Sequence, residues 1–247
     1  MIIDAHVHIG RTEKSDRSFD FFAYKKFMKN VGIDKAVVMP NISSIDTTFN
    51  LNDKFLFEYN KFKSDNIFYP FILIDPNRVD ILNQLEHFSQ FIYGVKYHPS
   101  ICRVVSDHPL MDKFYKWLEV NQKPIIIHCG RDGKSSIQYI ILAAKKYPKV
   151  NFIAAHLGGN TTDLIEKAIK LLTIEKLNNI YLDTSAGKLP WLIEQAVLKL
   201  GSDKIIFGSD EPYADLRIGK YCVDLANIKG KKEIFSYNIN KLLKVKI

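Results

Sequence analysis

The sequence opens with Met1-Ile-Ile-Asp-Ala-His-Val-His8, in which apolar residues are interleaved with Asp4, His6 and His8. If this segment is a β-strand, side chains two residues apart point to the same face, so these three residues share one face. Polar side chains on an otherwise buried strand are costly unless they form hydrogen bonds or bind an ion. The stretch therefore predicts a metal site that both imidazoles reach, although a surface strand with two ordinary histidines would give the same pattern.

Apolar, β-branched segments recur along the chain, and each is bounded by turn residues. They predict seven further strands, at 33–40, 66–74, 93–98, 123–128, 150–156, 179–185 and 204–210. Amphipathic segments between them predict helices at 19–31, 53–63, 79–91, 110–120, 135–146, 163–175 and 189–200, followed by a helical remainder with a break near Gly230. Gly32 is expected to end the first helix, and Asp107 is expected to cap the helix at 110–120.

Near-continuous apolar strands that alternate with amphipathic helices are typical of a parallel sheet covered by helices. Eight such units in 247 residues predict one α/β domain, a single (β/α)8 TIM barrel over residues 1–247. An open doubly wound sheet is the alternative, but the glycine-rich G-x-G-x-x-G turn usual after its first strand is missing. No linker, internal repeat or low-complexity segment marks a domain boundary.

The composition is that of an ordinary globular protein, with 47% hydrophobic and 25% charged residues and no stretch apolar enough for a membrane helix. No basic and apolar leader precedes the first strand, so we expect no signal peptide. Three cysteines without C-x-x-C spacing predict a reducing cytoplasm. The net charge of +8 would suit nucleic acid, but the lysines are spread along the predicted helices. The expected partner is a small-molecule substrate, with homodimerisation left open.

Ligand-type residues concentrate at the ends of the predicted strands. Five of the seven histidines lie there, namely His6, His8, His98, His128 and His156. Asp210 ends the eighth strand in the same way, and Lys96 lies near the end of the fourth. Active sites of barrels lie at the carboxyl ends of the strands, so these residues are expected to form one site. His87, in a helix, and His108, beside a proline, are expected to be structural.

The same residues lie in motifs found in a fixed order. These are Asp4-Ala-His6-Val-His8, Gly94-Val-Lys96-Tyr-His98-Pro, Ile127-His128-Cys-Gly, Ala155-His156-Leu-Gly-Gly and Phe207-Gly-Ser-Asp210-Glu-Pro. The set resembles the amidohydrolase superfamily, and specifically the amidohydrolase-2 family, which includes aminocarboxymuconate-semialdehyde decarboxylase and related decarboxylases and hydrolases. A single His-x-His is a weak signal, whereas the complete set is specific and spans nearly the whole chain.

The resemblance implies that His6, His8, His128 and Asp210 hold one divalent metal, most often zinc. Three imidazoles and a carboxylate suit zinc and leave an open position for water, whose pKa a bound metal can lower to about 7. In the family, the histidine of the sixth strand is not a ligand but moves protons, which assigns acid/base catalysis to His156. Asp210 is expected to act in catalysis as well as in ligation.

Lys96 has two interpretations. In the two-metal branches of the superfamily, a lysine of the fourth strand is carbamylated and bridges the ions, and the histidines of the fifth and sixth strands hold the second ion. In the amidohydrolase-2 pattern, a lysine at this place contacts the substrate as an ammonium, together here with His98. We favour one metal over two. Arg131, just after the fifth strand, either clamps a substrate carboxylate or phosphate or is a solvated loop charge.

The resemblance implies a metal-dependent hydrolase that acts on a small, carboxylated molecule through a metal-activated water. Decarboxylation by the same metal is the near alternative. A nuclease resembling the TatD-type DNases would fit the basic charge, but Gly94-Val-Lys96-Tyr-His98-Pro replaces the glutamate motif of its fourth strand. A binding protein on a decayed barrel should have lost a ligand, and none is missing. The loops at 10–20 and 41–52 are expected to select the substrate.

Overall fold

A computed structural model describes residues 1–11, 18–41, 48–185 and 189–245 of the chain. The central parts of the two loops expected to select the substrate, 12–17 and 42–47, lie outside these ranges. The eight strands pair in parallel in chain order. They are β1 Ile3–Ile9, β2 Lys35–Pro40, β3 Phe68–Ile74, β4 Gly94–Tyr97, β5 Ile125–Ile127, β6 Phe152–Ala154, β7 Ile180–Asp183 and β8 Ile205–Ile206.

The sheet curves until its last strand meets its first. The N–H of Ala5 on β1 donates to the carbonyl of Phe207, just after β8, at 2.9 Å. Further along, the N–H of Asp210 donates to the carbonyl of His6 at 2.8 Å. The eight strands therefore form a nearly closed barrel with helices between them, and the predicted (β/α)8 TIM barrel is confirmed in place of an open doubly wound sheet.

The helices follow the strands as expected. They are α1 Phe21–Val31, α2 Thr48–Asn60, α3 Ile81–Phe88, α4 Pro99–Cys102, α5 Asp112–Asn121, α6 Ile137–Lys146, α7 Thr162–Glu175, α8 Pro190–Leu200, α9 Leu216–Leu225 and α10 Asn238–Leu243. Helix α1 begins after Asp20, whose carboxylate caps it by accepting the N–H of Ala23 at 2.7 Å. Within the described ranges, no helix combines the length and the apolar composition needed to cross a bilayer.

The cap predicted for the helix at 110–120 is wrong by one residue. His108, not Asp107, caps a short turn ahead of α5, because its Nδ1 accepts the N–H of Leu110 at 3.1 Å. The residue before Pro109 is held in an extended conformation, which is the backbone shape that a capping residue needs. The structural role expected for His108 is confirmed.

Several strands end earlier than their apolar patterns predict. Strand β8 ends at Ile206 rather than at residue 210, and β6 ends at Ala154 rather than at residue 156. The backbone at His156 has a φ of 61° and that at Asp210 a φ of 69°. Left-handed backbone cannot continue a strand and is strained for residues other than glycine, so strain of this kind is often found at functional sites.

Two apolar cores support the barrel. The larger core fills the space between the sheet and the outer helices. The smaller core fills the interior of the barrel with side chains such as Val37, Phe71 and Ile153, and α10 adds Ile239 and Leu242 to it. At the carboxyl ends of the strands, polar side chains replace this apolar filling, which places the candidate site there.

Gly94 opens β4 in a position that has no room for a side chain. A Cβ at Gly94 would lie 2.4 Å from Cζ of Phe71 and 2.7 Å from the carbonyl oxygen of Pro124. Because both neighbours belong to the packed barrel, we expect Gly94→Ala to lower the free energy of unfolding by about 1–3 kcal/mol. Gly133→Ala is the matched control, since a Cβ there meets nothing within 4 Å. Urea unfolding measures both, and equal stabilities of the two variants would contradict the prediction.

Candidate metal centre

Three ligand atoms converge at one end of the barrel. His6 Nε2 lies 3.3 Å and His8 Nε2 lies 3.2 Å from Oδ1 of Asp210. The other ring nitrogens are already engaged, since His6 Nδ1 lies 2.8 Å from Oδ2 of Asp183 and His8 Nδ1 lies 3.4 Å from the carbonyl oxygen of Pro40. A carboxylate and a carbonyl can only accept, so we assign the ring hydrogen to Nδ1 in both histidines. Both Nε2 atoms then carry a lone pair directed at the same place.

This arrangement fits a divalent metal. Although burial by itself raises the pKa of Asp210, the nearby His6 and His156 hold it well below its usual range, so Asp210 is a carboxylate. A carboxylate oxygen and two nitrogen lone pairs that face each other repel unless a cation lies among them. Metal-binding histidines also donate their second N–H to a carboxylate or carbonyl, as His6 and His8 do. The structure therefore has a site for a divalent ion held by His6, His8 and Asp210.

His128, the fourth ligand expected from the sequence, lies in the same cavity but contacts other histidines. Its Nδ1 is 3.1 Å from Nε2 of His156. Its ring stacks on that of His98, with centroids 3.9 Å apart and planes inclined by 12°. Ligation by His128 stays a prediction.

Asp183 is a site residue that the sequence analysis left unassigned. Its fully buried carboxylate accepts the N–H of His156 at 2.8 Å on Oδ1 and faces His6 on Oδ2. Burial raises the pKa of Asp183, but the contacts with His6, His156 and Ser185 lower it overall, so the group is ionised. The available signal was its place at the end of the seventh strand, in Asn179-Ile-Tyr-Leu-Asp-Thr-Ser185. Asp183 orients His6 rather than extending the ligand set.

A second cluster, His6, His156 and Asp183, also brings potential ligand atoms within 4.8 Å of one another. Hydrogen bonds already pair these atoms. The hydroxyl of Ser185 bonds to Oδ1 of Asp183 and lies 2.9 Å from Nδ1 of His156. Because this hydroxyl donates to the carboxylate, it can accept the Nδ1–H of His156. The cluster is therefore a hydrogen-bond network that orients His156, which supports one metal rather than two.

Asp4 ties β1 to the loop that carries Asp210. Its Oδ2 accepts from the hydroxyl of Ser209 at 2.6 Å and from that of Tyr24 at 3.1 Å. Its Oδ1 accepts the N–H of Ser209 at 2.9 Å and that of His6 at 3.1 Å. Of the three polar residues expected on one face of the first strand, two therefore converge as ligands, and Asp4 instead fixes His6 relative to Asp210.

Lys96 places a positive charge beside the ligands. Its side chain is only 1% exposed, and its Nζ lies 2.8 Å from Nε2 of His6. Burial lowers the pKa of Lys96 to about 8, against the opposing effect of Asp210 and Asp183. Lys96 is consequently an ammonium at neutral pH and donates a hydrogen bond to His6.

A cavity of about 220 Å³ opens above the centre. It is lined by His8, Lys96, His98, Ile101, His128, His156, Asp210 and Tyr213. Its volume is below the roughly 300–1,000 Å³ of sites for drug-sized ligands, which indicates a small substrate. Lys96 and His98 face this cavity, whereas Arg131 is exposed and lines two separate depressions. Substrate contact by Arg131 stays a prediction.

The buried histidines predict an acid-sensitive fold. Burial lowers the pKa of His6, His128 and His156, and it lowers the pKa of His98 to about 3. These groups are neutral when folded but protonate at ~6.5 when unfolded, so their contribution to stability is present above ~6.5 and is lost as the pH falls towards the folded pKa. In chelator, the metal-free protein is expected to lose about 1–2 kcal/mol more than His98→Asn between pH 6.5 and 5.

Asparagine at position 98 keeps a side chain able to cap α4, where Nδ1 of His98 now accepts the N–H of Ile101 at 3.3 Å. Urea unfolding at several pH values gives the two stability curves. Parallel curves for the two proteins between pH 6.5 and 5 would show that His98 does not make this contribution.

A nearly closed barrel with a histidine and aspartate cluster at the carboxyl ends of its strands defines a class of metal-dependent barrel enzymes. The chain belongs to one family within that class, the amidohydrolase-2 family, whose amidohydrolase model matches residues 3–244. The resemblance inferred from the motifs is thus confirmed, and the protein is an enzyme of this family. A search of curated proteins gives no match.

Solved structures with the same fold include both amidohydrolases and decarboxylases. A putative amidohydrolase from Staphylococcus aureus is 16% identical with a TM-score of 0.79, and the match covers 99% of each chain. 5-Carboxyvanillate decarboxylase LigW from Sphingomonas paucimobilis is 12% identical with a TM-score of 0.78, again over 99% of each chain. A dihydroxybenzoic acid decarboxylase from a Polaromonas species, solved with bound manganese, is 15% identical with a TM-score of 0.77 over 98% of this chain and 96% of that one.

Proposed function

We propose that this enzyme catalyses the metal-dependent, non-oxidative decarboxylation of a small carboxylic acid. The observation that carries the proposal is the buried ammonium of Lys96 beside the ligands, at the wall of the small cavity. With a divalent ion in place, the ion and Lys96 together exceed the charge of Asp210 and Asp183 by one positive unit. A single substrate carboxylate would neutralise this excess, and buried charge is tolerated only when it is paired.

In the proposed reaction, the bond between the substrate carbon and its carboxyl group breaks, carbon dioxide leaves, and the electron pair stays on the carbon. A bound metal would stabilise the negative charge that develops on a substrate oxygen. The carbon then needs a proton, and His156 is the group we assign to carry it. Its imidazole lines the cavity, and the Ser185 hydroxyl 2.9 Å from Nδ1 holds the ring in place.

The similar structures support the reaction class without identifying a substrate. Two of them are decarboxylases named for 5-carboxyvanillate and dihydroxybenzoic acid. At 12% and 15% identity, the likeness concerns the fold, and the substrate of this chain follows from its own cavity instead.

Hydrolysis through a metal-activated water is the second candidate. It is favoured by the ligand set itself, since His6, His8 and Asp210 leave coordination positions open for water. Hydrolysis does not by itself require the buried positive charge of Lys96 beside the ion, and for this reason we place it second.

One screen separates the candidates. The metal-loaded enzyme is incubated in heavy-oxygen water with hydroxybenzoates and unsaturated acids, with lactones and amides, and with single- and double-stranded DNA. We expect carbon dioxide release in equal amount to product, without heavy oxygen in the remaining product. Incorporation of heavy oxygen without carbon dioxide would support hydrolysis, and cleavage of DNA with every small molecule unchanged would support a nuclease.

The proposal includes one zinc ion per chain, a cytoplasmic location and a small-molecule partner rather than nucleic acid. Manganese is the competing ion, because one similar structure contains it. Elemental analysis of the purified protein decides both the identity and the number of ions. A homodimer remains a prediction; the exposed Ile218, Tyr221 and Leu225 on α9 are the residues that we expect at its interface.

A further inference from the structure

The contact between Lys96 and His6 uses the same nitrogen that the metal needs. Nε2 of His6 lies 2.8 Å from Nζ of Lys96 and 3.3 Å from Oδ1 of Asp210. The other ring nitrogen is committed to Asp183 at 2.8 Å. A neutral imidazole has a single nitrogen lone pair, so Nε2 either accepts a hydrogen from the ammonium or coordinates an ion. Lys96 bonded to His6 and a metal bonded to His6 exclude each other.

The ammonium also balances charge that the metal would otherwise balance. Asp183 is fully buried, the side chain of Asp210 is 16% exposed, and both are ionised. Two carboxylates in such surroundings are strongly destabilising without a positive partner. Lys96, itself 1% exposed, is near enough to both that they raise its affinity for the proton. The metal-free centre is therefore neutralised from within the chain.

We infer that Lys96 is an internal counter-cation that occupies the metal's place on His6 and must leave this nitrogen before a metal binds. Two consequences follow from this competition. The metal-free protein is more stable than its ligand set alone would allow, and the metal binds more weakly than it would to the same ligands without the lysine. Neither consequence depends on the reaction proposed above.

Lys96→Met tests the inference, because methionine keeps an unbranched side chain and removes the charge. Metal affinity is measured with zinc and with manganese by competition against a chromophoric chelator. We expect the affinity of Lys96→Met to rise by about tenfold or more, because a hydrogen bond to a charged group no longer has to be broken. The metal-free variant should melt at a lower temperature than the wild type, and added metal should raise its melting temperature by more.

Lys123→Met is the matched control. Lys123 is also partly buried, and its Nζ donates to the carbonyl of Ile92 at 2.6 Å, away from the residues that line the cavity. We expect this variant to bind both metals with wild-type affinity. If Lys96→Met does not fold, Lys96→Gln replaces it, because glutamine also lacks the charge but can still donate a hydrogen bond.

Unchanged or weaker metal affinity in the Lys96 variant would overturn the inference. Weaker affinity with the loss of one ion per chain would indicate instead that Lys96 is carbamylated and bridges two metals. Because the measurement contains no substrate, failure to find decarboxylation leaves the inference intact, and failure of the metal measurement leaves the proposed reaction open.

Discussion

Replacing His6 and His8 together by alanine is expected to abolish stoichiometric metal binding and to lower activity by about 10³-fold or more. The double change removes two of the three atoms that converge on the ion and leaves Asp210 alone among them. A metal that stabilises developing charge contributes several kcal/mol to the transition state, and each 1.36 kcal/mol is about a factor of ten in rate. Elemental analysis of the purified variant measures the metal content.

Loss of the ion should also be visible in stability. A ligand present at about 100 times its dissociation constant stabilises the native state by about 2.7 kcal/mol, so chelation should lower the melting temperature of the wild type but not that of the double variant. His87→Ala is the control, because His87 is exposed on α3 and should keep its metal. One full equivalent of metal in the double variant would disprove the assigned ligands.

His156→Ala is expected to lower the rate by about 10²–10⁴-fold, the usual contribution of general acid–base catalysis, while the metal content stays unchanged. The imidazole of His156 lines the cavity, and its hydrogen bonds run to Ser185 and His128 rather than to the three converging ligands. Steady-state kinetics and elemental analysis of the same preparation measure both quantities.

Ser185→Ala provides a graded comparison for His156→Ala. It removes the hydroxyl 2.9 Å from Nδ1 but leaves the imidazole in the cavity, so its rate should lie between the wild type and His156→Ala. The loss of one ion per chain in His156→Ala would contradict the single-metal site. It would then show that His156 is a ligand of a second ion.

The architecture could be predicted because it depends on short-range patterns. Each strand is a run of apolar residues, and the eight runs in order are sufficient for a barrel. The residues at the strand ends could be found in the same way, since His6, His8 and Asp210 occupy equivalent places at the ends of their strands. These three residues converge in the structure as expected.

The remaining features depend on contacts between distant parts of the chain. Asp183 resembles any polar residue that ends a strand, and its role follows only from its bond to His6, which lies 177 residues earlier. The contact of Lys96 with His6 spans 90 residues and is equally invisible in a local pattern. The early ends of β6 and β8 arise from left-handed backbone at His156 and Asp210, and residue type does not predict this conformation at either position.

The bonds between Asp4 and Ser209 also determine when the protein can acquire its metal during synthesis. These residues are 205 positions apart, and Asp210 follows immediately. At about 5–20 residues per second, the ribosome delivers Asp210 about 10–40 s after the first two histidines. Throughout that interval, the nascent chain carries an incomplete set of ligands. Metal uptake is therefore a late step in the maturation of the enzyme, and it follows the docking of the last strand on the first.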